Sequence, residues 1–230
     1  MPFTTVIPMR VDRQVWRSIR GYLLLVVCGL VLVGCRKPTD RDRFLAAVAE
    51  VRAGKVTAID QRDFPQLTDN DLAGLAGLTQ LEELNLDNCP ITDAGLAHLA
   101  ELTSLRSLSL TNTRITDDGL KPLAGLHSLE FFRADRTRIT DVGLPHLAKL
   151  KNLREVSFWQ NYITDNGLAV FKNVPRIERI ALDGSAVTDA GLEHLKGMRN
   201  LQFLAVGATK VTNEGVQRIR SALPRVEIRQ

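Results

Sequence analysis

The chain has 230 residues, 44% of them apolar and 24% charged, with a formal net charge of +4 at pH 7, enough to build one domain with its own core. Four basic residues, Arg10, Arg13, Arg17 and Arg20, lie in residues 1–35 against the single acid Asp12, and the rest of the chain carries 26 basic and 25 acidic side chains. That near-balance excludes a nucleic-acid binder, whose basic patch has to sit in the folded part.

The first predicted element is an export signal over residues 1–35. Its arginines lead into "GYLLLVVCGLVLVGC", an uncharged run from Gly21 to Cys35. The run is shorter than the roughly 20 residues of a membrane-spanning helix and fits the apolar region of a signal peptide; an uncleaved anchor is the alternative. It ends in "LVGC", Leu32 to Cys35, which resembles the lipobox of bacterial lipoproteins. The resemblance implies that Cys35 receives a diacylglyceryl thioether and becomes the acylated first residue of an exported lipoprotein of the cell envelope. Arg36, where aspartate would signal retention, favours the outer membrane by analogy with diderm sorting. Two acyl chains suffice for stable anchoring. With Cys28 inside the signal and Cys35 lipidated, only Cys89 remains in the mature domain, so no intramolecular disulfide can form.

Residues 36–64 read as a short tether, a cap helix and a strand. "TDRDRFLAAVAEVRAG" offers Thr39 or Asp40 as N-cap, an apolar face of Phe44, Leu45, Val48 and Val51, and Gly54 as stop. "KVTAID" follows as a first strand that shields the start of what comes next. About four residues separate Cys35 from the cap helix, or roughly 14 Å at full extension, which expects the domain close against its membrane.

From residue 65 to 230 the chain repeats itself. "LTD" begins at Leu67, "ITD" at Ile91, Ile115, Ile139 and Ile163, "VTD" at Val187 and "VTN" at Val211, each step 24 residues. A fixed period in this range implies a solenoid of identical units. In the unit 81–104 the apolar positions are Leu81, Leu84, Leu86, Ile91, Leu96, Leu99 and Leu102, and over six units, up to Ala222, all of them stay apolar. These side chains are expected to form one continuous interior. Ala134 aligns between Leu110 and Phe158, a small residue beside a large one. "LEELNL" alternates like a strand, and "DAGLAHLAEL" steps by three like a short helix or 3₁₀ turn. At the end, "RVEIRQ" alternates once more (Val226, Ile228), with Arg225, Glu227 and Arg229 blunting an exposed edge.

"LEELNLDNCPI", "LRSLSLTNTRI", "LEFFRADRTRI", "LREVSFWQNYI", "IERIALDGSAV" and "LQFLAVGATKV" resemble the leucine-rich repeat, L-x-x-L-x-L-x-x-N/C-x-L. The phrase I-T-D-x-G-L is similar to the cysteine-containing, F-box-type branch and its bacterial relatives. The resemblance implies an α/β leucine-rich-repeat solenoid, with a curved parallel sheet on the concave side and short helices on the convex side. Thr or Ser often replaces the Asn/Cys ladder residue (Cys89, Thr113, Thr137, Asn161, Ser185, Thr209). No F-box precedes the repeats, which with the export signal counts against a ubiquitin-ligase-type substrate adaptor, the alternative reading beside a glycan-binding surface protein.

The acids of "ITDDGL", Ile115–Leu120, invite a catalytic or metal reading. But Asp69, Asp93, Asp117, Asp141, Asp165 and Asp189 share one position, with Asn213 at the seventh, and a catalytic acid needs one special environment. Asp and Asn are read here as helix N-caps, the preceding Thr sharing the task. A calcium ladder lacks a clustered second ligand. His98, His146 and His194 recur in alternate units, roughly 10 Å apart at the strand spacing, too far to share one zinc ion. His127 is a lone loop residue, and Cys89 is read as a buried ladder residue. No catalytic residue, metal site or cofactor is expected.

Function is therefore expected on the outward strand positions. The first row reads Glu83, Ser107, Phe131, Glu155, Arg179, Phe203; the second Asn85, Ser109, Arg133, Ser157, Ala181, Ala205; the third Asp87, Thr111, Asp135, Trp159, Asp183, Gly207. The middle units concentrate Phe131, Arg133, Asp135, Arg136, Glu155, Trp159, Tyr162 and Arg179, the aromatic and arginine types that dominate interface hot spots. Phe131, Arg133, Asp135, Glu155, Trp159, Arg179 and Phe203 are the expected concave-face ligand-binding residues, for a protein partner whose identity the residues do not specify.

Overall fold

A computed structural model describes residues 38–230; the export segment and Cys35 lie outside the described residues. Contacts separate Met1–Thr39 from Asp40–Gln230, and everything below concerns the second unit. It opens with helix α1, Asp40–Arg52. The last turn closes at Gly54, whose φ of +67° is the left-handed conformation that glycine adopts without penalty at a helix end. Phe44 meets Phe64 edge to face with centroids 5.8 Å apart, joining the helix to the first turn of the solenoid.

Eight three-residue strands follow: β1 Ala58–Asp60, β2 Glu83–Asn85, β3 Ser107–Ser109, β4 Phe131–Arg133, β5 Glu155–Ser157, β6 Arg179–Ala181, β7 Phe203–Ala205 and β8 Glu227–Arg229. All pair in parallel, in sequence order, as one open sheet. From β2 onward each residue pairs with the one 24 positions later, as Leu84 with Leu108 and Leu108 with Phe132. The step from β1 to β2 is 25, Ala58 pairing with Glu83. Short helical segments return the chain on the opposite face. Some are α-helical, such as Asp93–Leu96, and others 3₁₀, such as Asp117–Leu120 and Pro122–Gly125. The described residues therefore form an α/β leucine-rich-repeat solenoid.

One apolar cluster runs through the unit from Phe44 to Val226. Of the always-apolar positions, three are not buried: Met198 and Val211 are half-exposed and Ala222 is exposed. All three belong to the last two units. The final return is a regular ten-residue helix, Asn213–Ala222, whose 3.6-residue turn replaces the tighter three-residue steps of earlier units. The inward position thus moves to Leu223, which is buried. Within the stack Ala134 and Phe158 are both fully buried, and Phe158 also contacts Phe132 and Phe171, at centroid separations of 5.9 and 6.3 Å.

Candidate functional site

The recurring acids do not cap helices. In the I/V-T-D-x-G units with a resolved side-chain cap, such as those starting at Thr92, Thr116, Thr164 and Thr188, the threonine is the N-cap. Its hydroxyl oxygen accepts from the N–H two residues on. The aspartate that follows reaches into the next unit. Asp93 Oδ1 accepts the Thr116 N–H at 2.8 Å, and its Oδ2 accepts the Thr116 hydroxyl at 2.6 Å. The same pair of bonds joins Asp69 to Thr92, Asp117 to Thr140, Asp141 to Thr164, Asp165 to Thr188 and Asp189 to Thr212. Each threonine hydroxyl therefore donates backward to a carboxylate while accepting from its own helix. The glycine of the phrase makes room for that carboxylate. A Cβ on Gly119 would fall closer than 3.0 Å to Asp93 Oδ1, and one on Gly95, Gly143, Gly167, Gly191 or Gly215 would do the same with the preceding aspartate. "ITDDGL" is a joint between repeats.

Cys89 is 1% exposed. Burial, with the Asp87 carboxylate adding to it, pushes its thiol up to about 12, which removes the thiolate a nucleophile needs. His98 and His146 are half-buried and His127 and His194 exposed. Among the described residues no three His, Cys, Asp or Glu side chains gather as a metal site.

On the outward face of the sheet the seven expected binding residues separate into two groups. Phe131, Arg133, Trp159 and Arg179 are half-exposed. Asp135 and Glu155 are each 8% exposed and Phe203 6%, so neighbouring side chains cover them. Asp135 accepts the Ser157 hydroxyl and, at 2.8 Å, the Trp159 N–H, repeating what Asp87 does for Ser109 and Thr111. Burial outweighs these donors and raises both aspartates above the usual carboxylate range. It raises Glu155 as well, against the pull of Arg179 at 3.3 Å. Arg179 also lies over the Phe203 ring, 4.3 Å from its centroid, and Arg229 approaches the same ring at 5.9 Å. Arg133 stands 3.8 Å from Asp135. The sheet face therefore offers Phe131 and Trp159 as apolar contacts within a largely self-paired network of charge.

The two rims of the sheet differ. At the side where the chain enters the strands, Glu82, Arg106, Glu130, Arg154 and Glu178 form a column of alternating sign. Arg106 pairs with Glu130 at 2.7 Å, and Arg154 with Glu178 at 2.6 Å and with Glu130 at 3.5 Å. On the exit side, Arg136 lies over Trp159 at 5.6 Å and Tyr162 is 70% exposed, with Arg114 and Arg138 in the same column as Tyr162. Reading the outward strand positions alone misses Arg114 and Arg138. The signal was present, since residues 114, 138 and 162 follow the same 24-residue step.

A sequence model described as leucine-rich repeats in two copies matches residues 79–125. No curated protein matches the chain in sequence. Among solved structures, internalin C2 from Listeria monocytogenes is similar over 86% of this chain and all of its own, at 23% identity and a TM-score of 0.59. A second Listeria monocytogenes internalin, inlF, overlaps 80% of this chain and 63% of its own at 21% identity and a TM-score of 0.48. Residues 79–125 thus match leucine-rich repeats in sequence, and the fold shared with internalin C2 is the leucine-rich-repeat solenoid.

Proposed function

We propose that the protein is a non-catalytic, lipid-anchored binding scaffold of the bacterial cell envelope, recognising another protein through the outward face of its sheet. Leucine-rich repeats serve as protein-interaction scaffolds, and solenoids bind through such extended surfaces. The observation that carries the reading is the set of half-exposed Phe131, Arg133, Trp159 and Arg179. These side chains fill no core position and are of the types that dominate binding hot spots. Lipid anchoring rests on "LVGC" at the end of the apolar run, with Cys35 as the acylated residue, and the outer membrane is favoured by Arg36.

The purified protein serves as bait in an envelope extract beside a Phe131→Ala, Arg133→Ala variant of equal thermal stability. A partner retained by the parent and lost by the variant supports the sheet face as the site. Equal retention by both removes the sheet face, and a parent that captures nothing removes an envelope protein partner.

A further inference from the structure

We infer that the loops leaving the middle strands form a second docking surface, shaped for an acidic segment of a partner protein; this rests on the chain acting as a protein-binding scaffold. Arg114, Arg138 and Tyr162 form one column down the exit rim. The Arg114 and Arg138 N–H groups donate to the Ile91 and Ile115 carbonyls of the preceding repeat at 2.8 and 3.0 Å, and Tyr162 bridges Thr140. Successive side chains therefore leave the rim about 4.8 Å apart, close enough for one carboxylate to meet two guanidinium groups. Arg136 belongs to the adjoining column and has φ +53°. Every other repeat from Asn88 to Ala208 turns at that position too, through Asn112, Gln160 and Gly184, with φ between +52° and +72°. The turn carries the long cation out of the rim with its guanidinium over Trp159.

Two further features set this rim apart. Among the described residues, Arg114, Arg136 and Arg138 make no ion pair, whereas Arg106 and Arg154 on the opposite rim are both paired. The nearby acids are engaged: Asp87 and Asp135 accept from the following repeat and Asp118 pairs with Lys121. These loops thus bring three arginines without an ion pair together on adjoining columns. Beside it, Tyr162 and Val142 are 70% and 73% exposed, the two most exposed large apolar side chains described. Arginine forks that can grip carboxylates, next to exposed aromatic surface, are complementary to an acidic polypeptide that also carries apolar side chains.

The chain has two tryptophans, Trp16 and Trp159, so binding is read in a Trp16→Phe background, where Trp159 emission alone reports on this rim. The probe is a random glutamate–tyrosine copolymer, with phosphatidylglycerol vesicles as a second anionic surface. The copolymer is expected to shift Trp159 emission, less so with added salt. Arg136→Glu, Arg138→Glu together should weaken it by about tenfold or more, while Lys172→Glu on the exposed return face leaves it unchanged. Arg114→Gln, Arg138→Gln, which leaves Arg136 and its backbone conformation untouched, should also weaken binding. Equal binding by parent and both arginine variants overturns the proposal, as does response to vesicles without response to the copolymer. Loss in the Phe131→Ala, Arg133→Ala variant alone would move the acidic segment to the sheet face, overturning this site while leaving the scaffold reading intact.

Discussion

Replacing Gly119 with alanine tests the joint between repeats. The new methyl would sit closer than 3.0 Å to Asp93 Oδ1, with Leu96 Cδ1 next at 3.1 Å. The leucine methyl can yield, but the carboxylate is held by the Thr116 N–H and hydroxyl at 2.8 and 2.6 Å. Displacing it forfeits bonds to a charged acceptor, roughly 1.5–3 kcal/mol, and adds strain of about 1–3 kcal/mol. The helix preference of alanine over glycine returns about 1 kcal/mol. Gly119→Ala should therefore cost about 1.5–5 kcal/mol in urea denaturation followed by circular dichroism. Asp93→Ala alone should cost about 1.5–3 kcal/mol. In the double variant the methyl enters space the carboxylate has left, so its loss should match Asp93→Ala or be smaller by up to about 1 kcal/mol. Gly125→Ala, with nothing within 4 Å of the added Cβ, should change stability by less than about 0.5 kcal/mol. Strictly additive losses for Gly119 and Asp93 would refute the idea that the glycine exists to admit the aspartate.

Leu108 is fully buried, and Leu108→Ala should cost about 2–5 kcal/mol as a core truncation; a chemical-denaturation loss near 0.5 kcal/mol would contradict its place in the interior. The Asp135 carboxyl is raised by burial, so the folded state holds its proton longer than the unfolded chain. The stability this provides is full below the unfolded pKa, near 3.9, and is lost as pH rises through the folded value. Asp135→Asn should accordingly gain melting temperature relative to the parent as pH climbs from about 4, and a difference constant across that range would refute the direction. Cys35→Ala should abolish fatty-acid labelling and membrane retention; unchanged labelling would end the lipoprotein reading.

Part of the candidate site was legible because outward strand positions alternate with core ones, so Phe131, Arg133, Trp159 and Arg179 stand out as side chains without packing duty. Asp135, Glu155 and Phe203 share the same pattern but are covered in the structure. Alternation states which face a side chain leaves from, not whether Ser157, Arg179 or Arg229 will then close over it. The arginines at 114 and 138 are less legible for a related reason: they follow the strand, where neither period-two alternation nor helical spacing marks a face.

The 24-residue repeat by itself determined the stack of units, the parallel sheet and most of the interior. In a solenoid every unit meets the same neighbours, so a position apolar in all units has one environment to satisfy. That reasoning weakens at Met198, Val211 and Ala222, in the last two of these units, where the final return winds as a regular helix onto Leu223. The purpose of the recurring phrase Thr-Asp-x-Gly was decided only in three dimensions. A carboxylate beside a helix start looks the same in sequence whether it caps its own helix or reaches forward. The donors it takes, on the threonine 23 residues later, come within bonding distance only once one turn of the solenoid lies on the next.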